Sequence, residues 1–417
     1  MGALVQIGAL SPARAAAGPL ESRRFSRVGA VMAAGLLLGF AAVFFAPRAA
    51  GPILAVAGLL AFVGQRPFKA PSLSAALLLA LGFLAYCSAT LLLGGAGEAM
   101  WLRFAGVLFV ALGAYAFVQG GGLGRNADQV LARRAAWAGG AAVLSLLCLD
   151  IGLAHDVSRA LLPKGPDPDV LGRGRDLAAM SVLLSCGLSA VLLRQGWRGW
   201  LAVGGLIVGN LALCWVYWSG VALAALIGGV IIGVIGWLRP EFTLIASGQA
   251  GALWLVAAPW VQAPLGAAIT GWLRPHLGQE HLFDWVNRLR SWRYTAEWIA
   301  EKPALGHGFD AARLFSEARD LSGYVQPLIV HHPHAMPLQI WLELGAVGAA
   351  LAAGVLATFG RRLGAEFGRN RPAAASVCAL FSAGLLCGAL DVGLWDGWFW
   401  ASLAIGASMI ALSQAAE

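Results

Sequence analysis

Charge is what this sequence has least of. Charged residues make up 12% of 417, hydrophobic residues 59%, and the mean hydropathy is +0.74. A soluble domain of this length needs a polar shell that the composition does not supply. Cysteine is scarce as well. All six (Cys87, Cys148, Cys186, Cys214, Cys378 and Cys387) fall inside apolar stretches, which excludes a disulfide framework and CxxC chemistry and leaves them as small packing residues. There is no repeat of fixed period and no soluble domain of appreciable size. Residues 1–22 are rich in alanine and lack a positively charged start before an apolar run, so a cytoplasmic tail is expected there and not a cleaved signal peptide.

What is present is one apolar stretch after another. About 20 apolar residues cross a bilayer as a helix. Twelve such stretches can be drawn, at roughly 28–45, 50–64, 73–94, 101–118, 135–154, 177–193, 199–217, 220–237, 243–263, 336–359, 373–392 and 395–414. The expected fold is therefore an all-α polytopic membrane protein of about twelve transmembrane helices. Nine spans lie in 28–263 after a tail at 1–27, a large outer loop occupies 264–335, and three spans lie in 336–417.

Arginine and lysine set the orientation, because positively charged short loops stay in the cytoplasm. With a cytoplasmic N-terminus, the inner connections hold Arg66, Lys69, Arg125, Arg133, Arg134, Arg194, Arg198, Arg239, Arg361, Arg362, Arg369 and Arg371, while the short outer loops hold little beyond Arg48. The net charge of +8 belongs mostly to this signal and does not point to nucleic acid.

Two outer connections exceed what joining helices requires, 155–176 and 264–335. All seven histidines lie in them: His155 in the first, and His276, His281, His307, His331, His332 and His334 in the second. Groups that titrate near neutrality, gathered on one side of a membrane, suggest proton chemistry or metal binding there. Residues 284–302 place Trp285 or Val286, Leu289, Trp292, Ala296 and Ile299 at helical spacing, which predicts an amphipathic helix stopped by Pro303. Its first turns carry Arg288, Arg290 and Arg293, whose guanidinium forks match phosphate oxygens, with pairing to Asp284 or Glu297 or contact with anionic headgroups as the plainer readings. The following Gly306-His307-Gly308 has no preceding strand and reads as a tight turn, with Asp310 and Arg313 as polar residues without an evident duty. Charges near or within the spans are few: Arg103, Asp150, Asp391 and, two turns into the tenth span, Glu343.

Two segments resemble the O-antigen ligase and polymerase family of membrane glycosyltransferases. The first is Arg288-Leu289-Arg290-Ser291-Trp292 with the later IAEKPALGHGFDAARLF, which is similar to the family's arginine, tryptophan and P-x-x-G-x-G arrangement. The second is HHPHAMPLQIWLELG, in which His334 precedes Gly345 at the family's spacing, accompanied by His332-Pro333 and by Leu338-Gln339. Ala335 stands where the family usually has asparagine, and Trp218-Ser219-Gly220 lacks the arginine of a family Ser-Arg pair.

The resemblance implies a GT-C-type fold in the bacterial inner membrane, its site facing the periplasm. It also implies transfer of a glycan from undecaprenyl diphosphate to a hydroxyl, of lipid A-core for a ligase or of another carrier-linked glycan for a polymerase. His334 would be the base and Arg288, Arg290 and Arg293 the diphosphate ligands, with Arg173 or Arg175 supplying a second cation. His332, Glu343, Asp310 and Gln339 would support the site. No cofactor and no metal is expected, membrane lipids are the surroundings, and nucleic acid is not a partner. Two rivals arise from the residues themselves: a metal site of His331, His332, His334 and Asp310, for which no HExxH or cysteine partner exists, and a transporter, for which no matched pair of interrupted helices is evident.

Overall fold

The computed structural model describes residues 26–64, 75–94, 97–120, 126–152, 170–276, 279–315, 318–320, 325–327, 329 and 332–414. The tail, His155 with most of the 155–176 loop, and His331 lie outside the described residues.

Each predicted apolar stretch falls on a helix. In chain order these are α1 (Arg27–Phe45), α2 (Pro47–Gly64), α3 (Ala75–Leu93), α4 (Glu98–Gly120), α5 (Asn126–Gly152), α6 (Val170–Leu192), α7 (Trp197–Val216), α8 (Gly220–Leu238), α9 (Pro240–Leu273), α11 (Met336–Phe367), α12 (Arg371–Leu390) and α13 (Gly397–Gln414), with α10 (Gln279–Glu301) in the long connection. The protein is an all-α membrane protein, and eight helices among the described residues are long and apolar enough to cross a bilayer. The stretches Arg27–Ala42, Ala49–Val63 and Leu77–Leu93 are apolar but shorter. Leu201, Val208 and Trp215 on α7 and Val234 on α8 are exposed, as lipid-facing side chains are. A three-residue ladder, β1 (Ala318–Asp320) against β2 (Val325–Pro327), is an antiparallel addition to the connection that hydropathy did not predict.

The ninth helix runs farther than its sequence suggests. Proline lacks an amide donor and crowds the carbonyl four residues back, so an end near Pro264 is the natural expectation. Helix α9 instead continues through Pro259 and Pro264 to Leu273, because prolines are tolerated in long apolar helices where neighbouring groups re-satisfy the freed carbonyls. Residues 264–273, assigned above to the loop, are therefore helical. At the other end of the bundle, Arg194 donates to Ser413 O, Arg133 Nη2 to Leu412 O at 3.0 Å, and Asn370 Nδ2 to Gln414 Oε1 at 3.0 Å, so two arginines and an asparagine tie helix ends together.

Helix α10 buries Leu289, Trp292 and Ile299 against α9 and α11. Its exit then stitches into a break in α11. Gly345 has φ +61° and ψ −162°, which interrupts the helical ladder and leaves carbonyl and amide groups without intrahelical partners. The chain after α10 fills them: His307 N–H donates to Leu342 O at 2.9 Å and Gly308 N–H to Glu343 O at 2.8 Å. In return, Ala346 and Val347 donate to Pro303 O and Ala304 O at 2.8 and 3.2 Å. The two backbones touch so closely that a Cβ on Gly345 would stand 2.4 Å from Ala304 O, and one on Gly306 2.4 Å from Glu343 O.

Gly345→Ala combines that collision with a backbone region nearly closed to side chains, so a loss of at least about 1–3 kcal/mol is expected. The check is the thermal midpoint in detergent together with proteolysis between residues 303 and 315. An unchanged midpoint and cleavage pattern would contradict the stitched break.

Candidate functional site

The break in α11 places the start of that helix, the end of α12 and the middle of α10 at one end of the bundle. There His334 Nδ1 lies 3.1 Å from Asp391 Oδ1, and Arg288 Nη2 lies 2.9 Å from the same oxygen. A second arginine donor, Nη1, reaches Leu390 O at 3.0 Å, and the guanidinium stacks 5.6 Å from the Trp285 ring centroid. The arginine side chain is 13% exposed, the aspartate 23% and the histidine 40%. Asp391 is thus held from one side while the histidine edge stays open to solvent.

Burial alone pushes a carboxyl upward. For Asp391 the Arg288 guanidinium, the His334 hydrogen bond and the charges of His334 and His332 outweigh it and bring the group from 3.8 down to about 2. A depressed carboxyl of this kind contributes stability that is full above its unfolded pKa and lost as pH falls toward 2. Asp391 is therefore an anion at any pH where a histidine can be neutral. It accepts from Nδ1–H of His334, which leaves Nε2 as the lone pair of that ring.

The surrounding residues hold these three in place. Trp292 Nε1 donates to His334 O at 3.4 Å, and His334 N–H donates to His332 Nδ1 at 3.1 Å. His332 Nε2 faces Asp396 Oδ2 at 3.6 Å, and that oxygen accepts from Gly393 N–H at 2.8 Å. Burial raises Asp396, opposed by the Gly393 amide, and Asp391 raises it further.

Glu343 is fully buried and takes three donors: Gln339 Nε2 at 2.9 Å, Trp395 Nε1 at 2.8 Å and Asp310 N–H at 3.0 Å. Gln339 Oε1 in turn accepts from Leu394 N–H at 2.8 Å. One carboxylate thus joins α11, the turn after α10 and the 391–396 connection that carries Asp391 and Asp396, each donor satisfied in a buried setting.

Asp310 is engaged by arginines. Arg103 Nη1 and Arg313 Nε, the latter at 3.0 Å, bind its two carboxylate oxygens, and His331, a member of the alternative metal set, lies outside the described residues. Among the described residues no group of three or more His, Cys, Asp or Glu could hold a metal ion.

Of the arginines proposed from sequence, Arg288 alone makes a described contact with the cluster. Arg290 and Arg293, two and five residues on, occupy other faces of α10 and are exposed. Arg173 sits in the first turns of α6, donates to Phe44 O and stacks on the Phe44 ring at 5.8 Å; Arg175 is half-buried beside it. Asp391 and Asp396 are what the sequence reading left out of the site. Their signal was two carboxylates within six residues, in a chain poor in charge, between two apolar stretches.

The fold and the site define a polytopic helical membrane protein with a histidine–carboxylate–arginine cluster at one end of its bundle. Residues 177–353 match the O-Antigen ligase family model, so the resemblance read from His334 and Gly345 holds over that stretch. A Rickettsia bellii protein named as a candidate polysaccharide ligase is 31% identical over 121 residues, 28% of this chain and 29% of that protein. A Rickettsia conorii protein of the same description is 30% identical over 118 residues, 27% and 28% of the two chains. The chain thus spans less than a third of each relative's length.

Proposed function

We propose that the protein is an inverting, metal-independent glycosyltransferase of the ligase type, taking a glycan from undecaprenyl diphosphate and placing it on a hydroxyl of lipid A-core. The observation that carries this reading is the half-exposed His334 set on the Asp391 oxygen that also receives Arg288. In the step, the acceptor hydroxyl gives its proton to His334 Nε2, and its oxygen forms a bond to the anomeric carbon. The bond from that carbon to the diphosphate breaks, and the electron pair leaves with the diphosphate. Asp391 accepts the Nδ1–H and stabilises the imidazolium as it forms. Arg288 uses two of its five N–H groups on Leu390 and Asp391 and offers others to a phosphate oxygen. Exposed Arg290 and Arg293 make the outer contacts, and Arg173 and Arg175 line the carrier's approach. A diphosphate leaves with its charge stabilised by arginine, so a strong general acid is not required.

Lys/Arg retention at the opposite end supports a periplasmic site in the bacterial inner membrane. The matched family and the two relatives support polysaccharide ligation. Purified protein supplied with one labelled donor and with both lipid A-core and a carrier-linked repeat is expected to label the core, with inverted anomeric configuration. Label on the carrier-linked glycan would make the chain a polymerase, and retention of configuration would contradict single displacement by the acceptor hydroxyl with His334 as its base.

A further inference from the structure

His334 has φ +52°, a left-handed conformation that is uncommon outside glycine and persists only where its surroundings enforce it. Two contacts do so here. Its carbonyl takes Trp292 Nε1, and its N–H goes to His332 Nδ1 across Pro333, whose ring fixes the dihedral between them. The His332 ring is itself wedged: a Cβ on Gly393 would lie 2.9 Å from its Cγ and Cδ2, and the His334 ring centroid is 4.7 Å away.

A ring nitrogen that accepts an amide hydrogen carries no proton. Nδ1 of His332 is therefore the bare nitrogen, and the proton of the neutral ring is on Nε2, facing Asp396 Oδ2. The carboxylates of Asp396 and Asp391 favour a second proton on this ring, with Arg313 beyond Asp396 and Arg288 beyond Asp391 opposing it. That second proton would have to go on Nδ1, where two N–H groups would then meet head on at 3.1 Å. The turn that presents His334 would open.

We infer that His332 is a positioning residue that serves only in its neutral, Nε2-protonated form, so the site requires two unprotonated histidines, one as base and one as anchor. This rests on the reading of His334 as the base. Below the pKa values of both rings, kcat/KM should then fall with the square of the proton concentration, since either protonation stops transfer, with a first-power stretch where only one ring has titrated.

His332→Asn puts an amide oxygen where Nδ1 was and cannot protonate; it is expected to restore the turn and reduce the acid limb to the first power. His332→Gln reaches toward Asp396 but not toward the His334 amide, and should transfer up to about 10²-fold more slowly with donor KM unchanged, as misplacement of a reacting group does. A parent limb that stays first-power at a pH where the ring-nitrogen shifts show both histidines protonated, a second-power limb in His332→Asn, or Gln rescuing better than Asn would each overturn the inference. Ring-nitrogen chemical shifts of selectively labelled parent give a readout without turnover. If the parent transfers nothing, the proposed function fails, whereas a protonated Nδ1 on neutral His332 refutes the anchor whatever the activity.

Discussion

At saturating donor, His334→Ala is expected to transfer glycan about 10²–10⁴-fold more slowly than the parent, the usual effect of removing a positioned base. Donor affinity should stay near normal, because the ring's own partner, Asp391, is also held by Arg288, while Trp292 and His332 bind the backbone of His334 and not its ring. The ring is 40% exposed, so its removal opens no sealed cavity and leaves the thermal midpoint close to the parent's. A near-normal rate would move the base elsewhere, with Asp396 the first carboxylate to test.

Arg288→Ala is expected to have the other large effect, and it should act twice. A charged hydrogen bond to the donor is lost, at about 1.5–3 kcal/mol. Asp391, left without the guanidinium that holds it low, rises toward the carboxylic acid and loses its grip on His334 Nδ1–H. Donor KM should therefore rise while kcat falls, and the acid limb of the pH profile should move upward. Arg288→Lys keeps the charge but cannot reach Leu390 O, Asp391 and a phosphate together, so it should recover part of the affinity and little of the rate. Parent-like donor KM in Arg288→Ala would place the diphosphate at Arg173 and Arg175 instead.

The helices were legible because burial in lipid leaves a one-dimensional record: unbroken apolar length marks each of them. The buried face of α10 was legible too, since Leu289, Trp292 and Ile299 repeat at the helical period and all three are buried. The end of the ninth span was not legible, because residues 264–273 continue the helix through Pro264, which a packed apolar helix tolerates. The site was legible only in halves. The histidine and arginine clusters stood out by their chemistry and the family resemblance picked His334 and Arg288 from them, but their common partner, Asp391, lies 57 residues from the histidine, and no local pattern connects them. Likewise the spacing from His334 to Gly345 could be read, while its physical reason, a helix break filled by the backbone of residues 303–308, exists only in three dimensions.

The most direct measurement is the turnover of a labelled undecaprenyl-diphosphate glycan by the purified protein in detergent with lipid A-core and chelator present, following glycosylated acceptor and free undecaprenyl diphosphate together. One carrier diphosphate released per glycan transferred, with neither released by His334→Ala, is the predicted result. Donor that remains intact in the parent, or carrier released at the same rate by parent and His334→Ala, would contradict it.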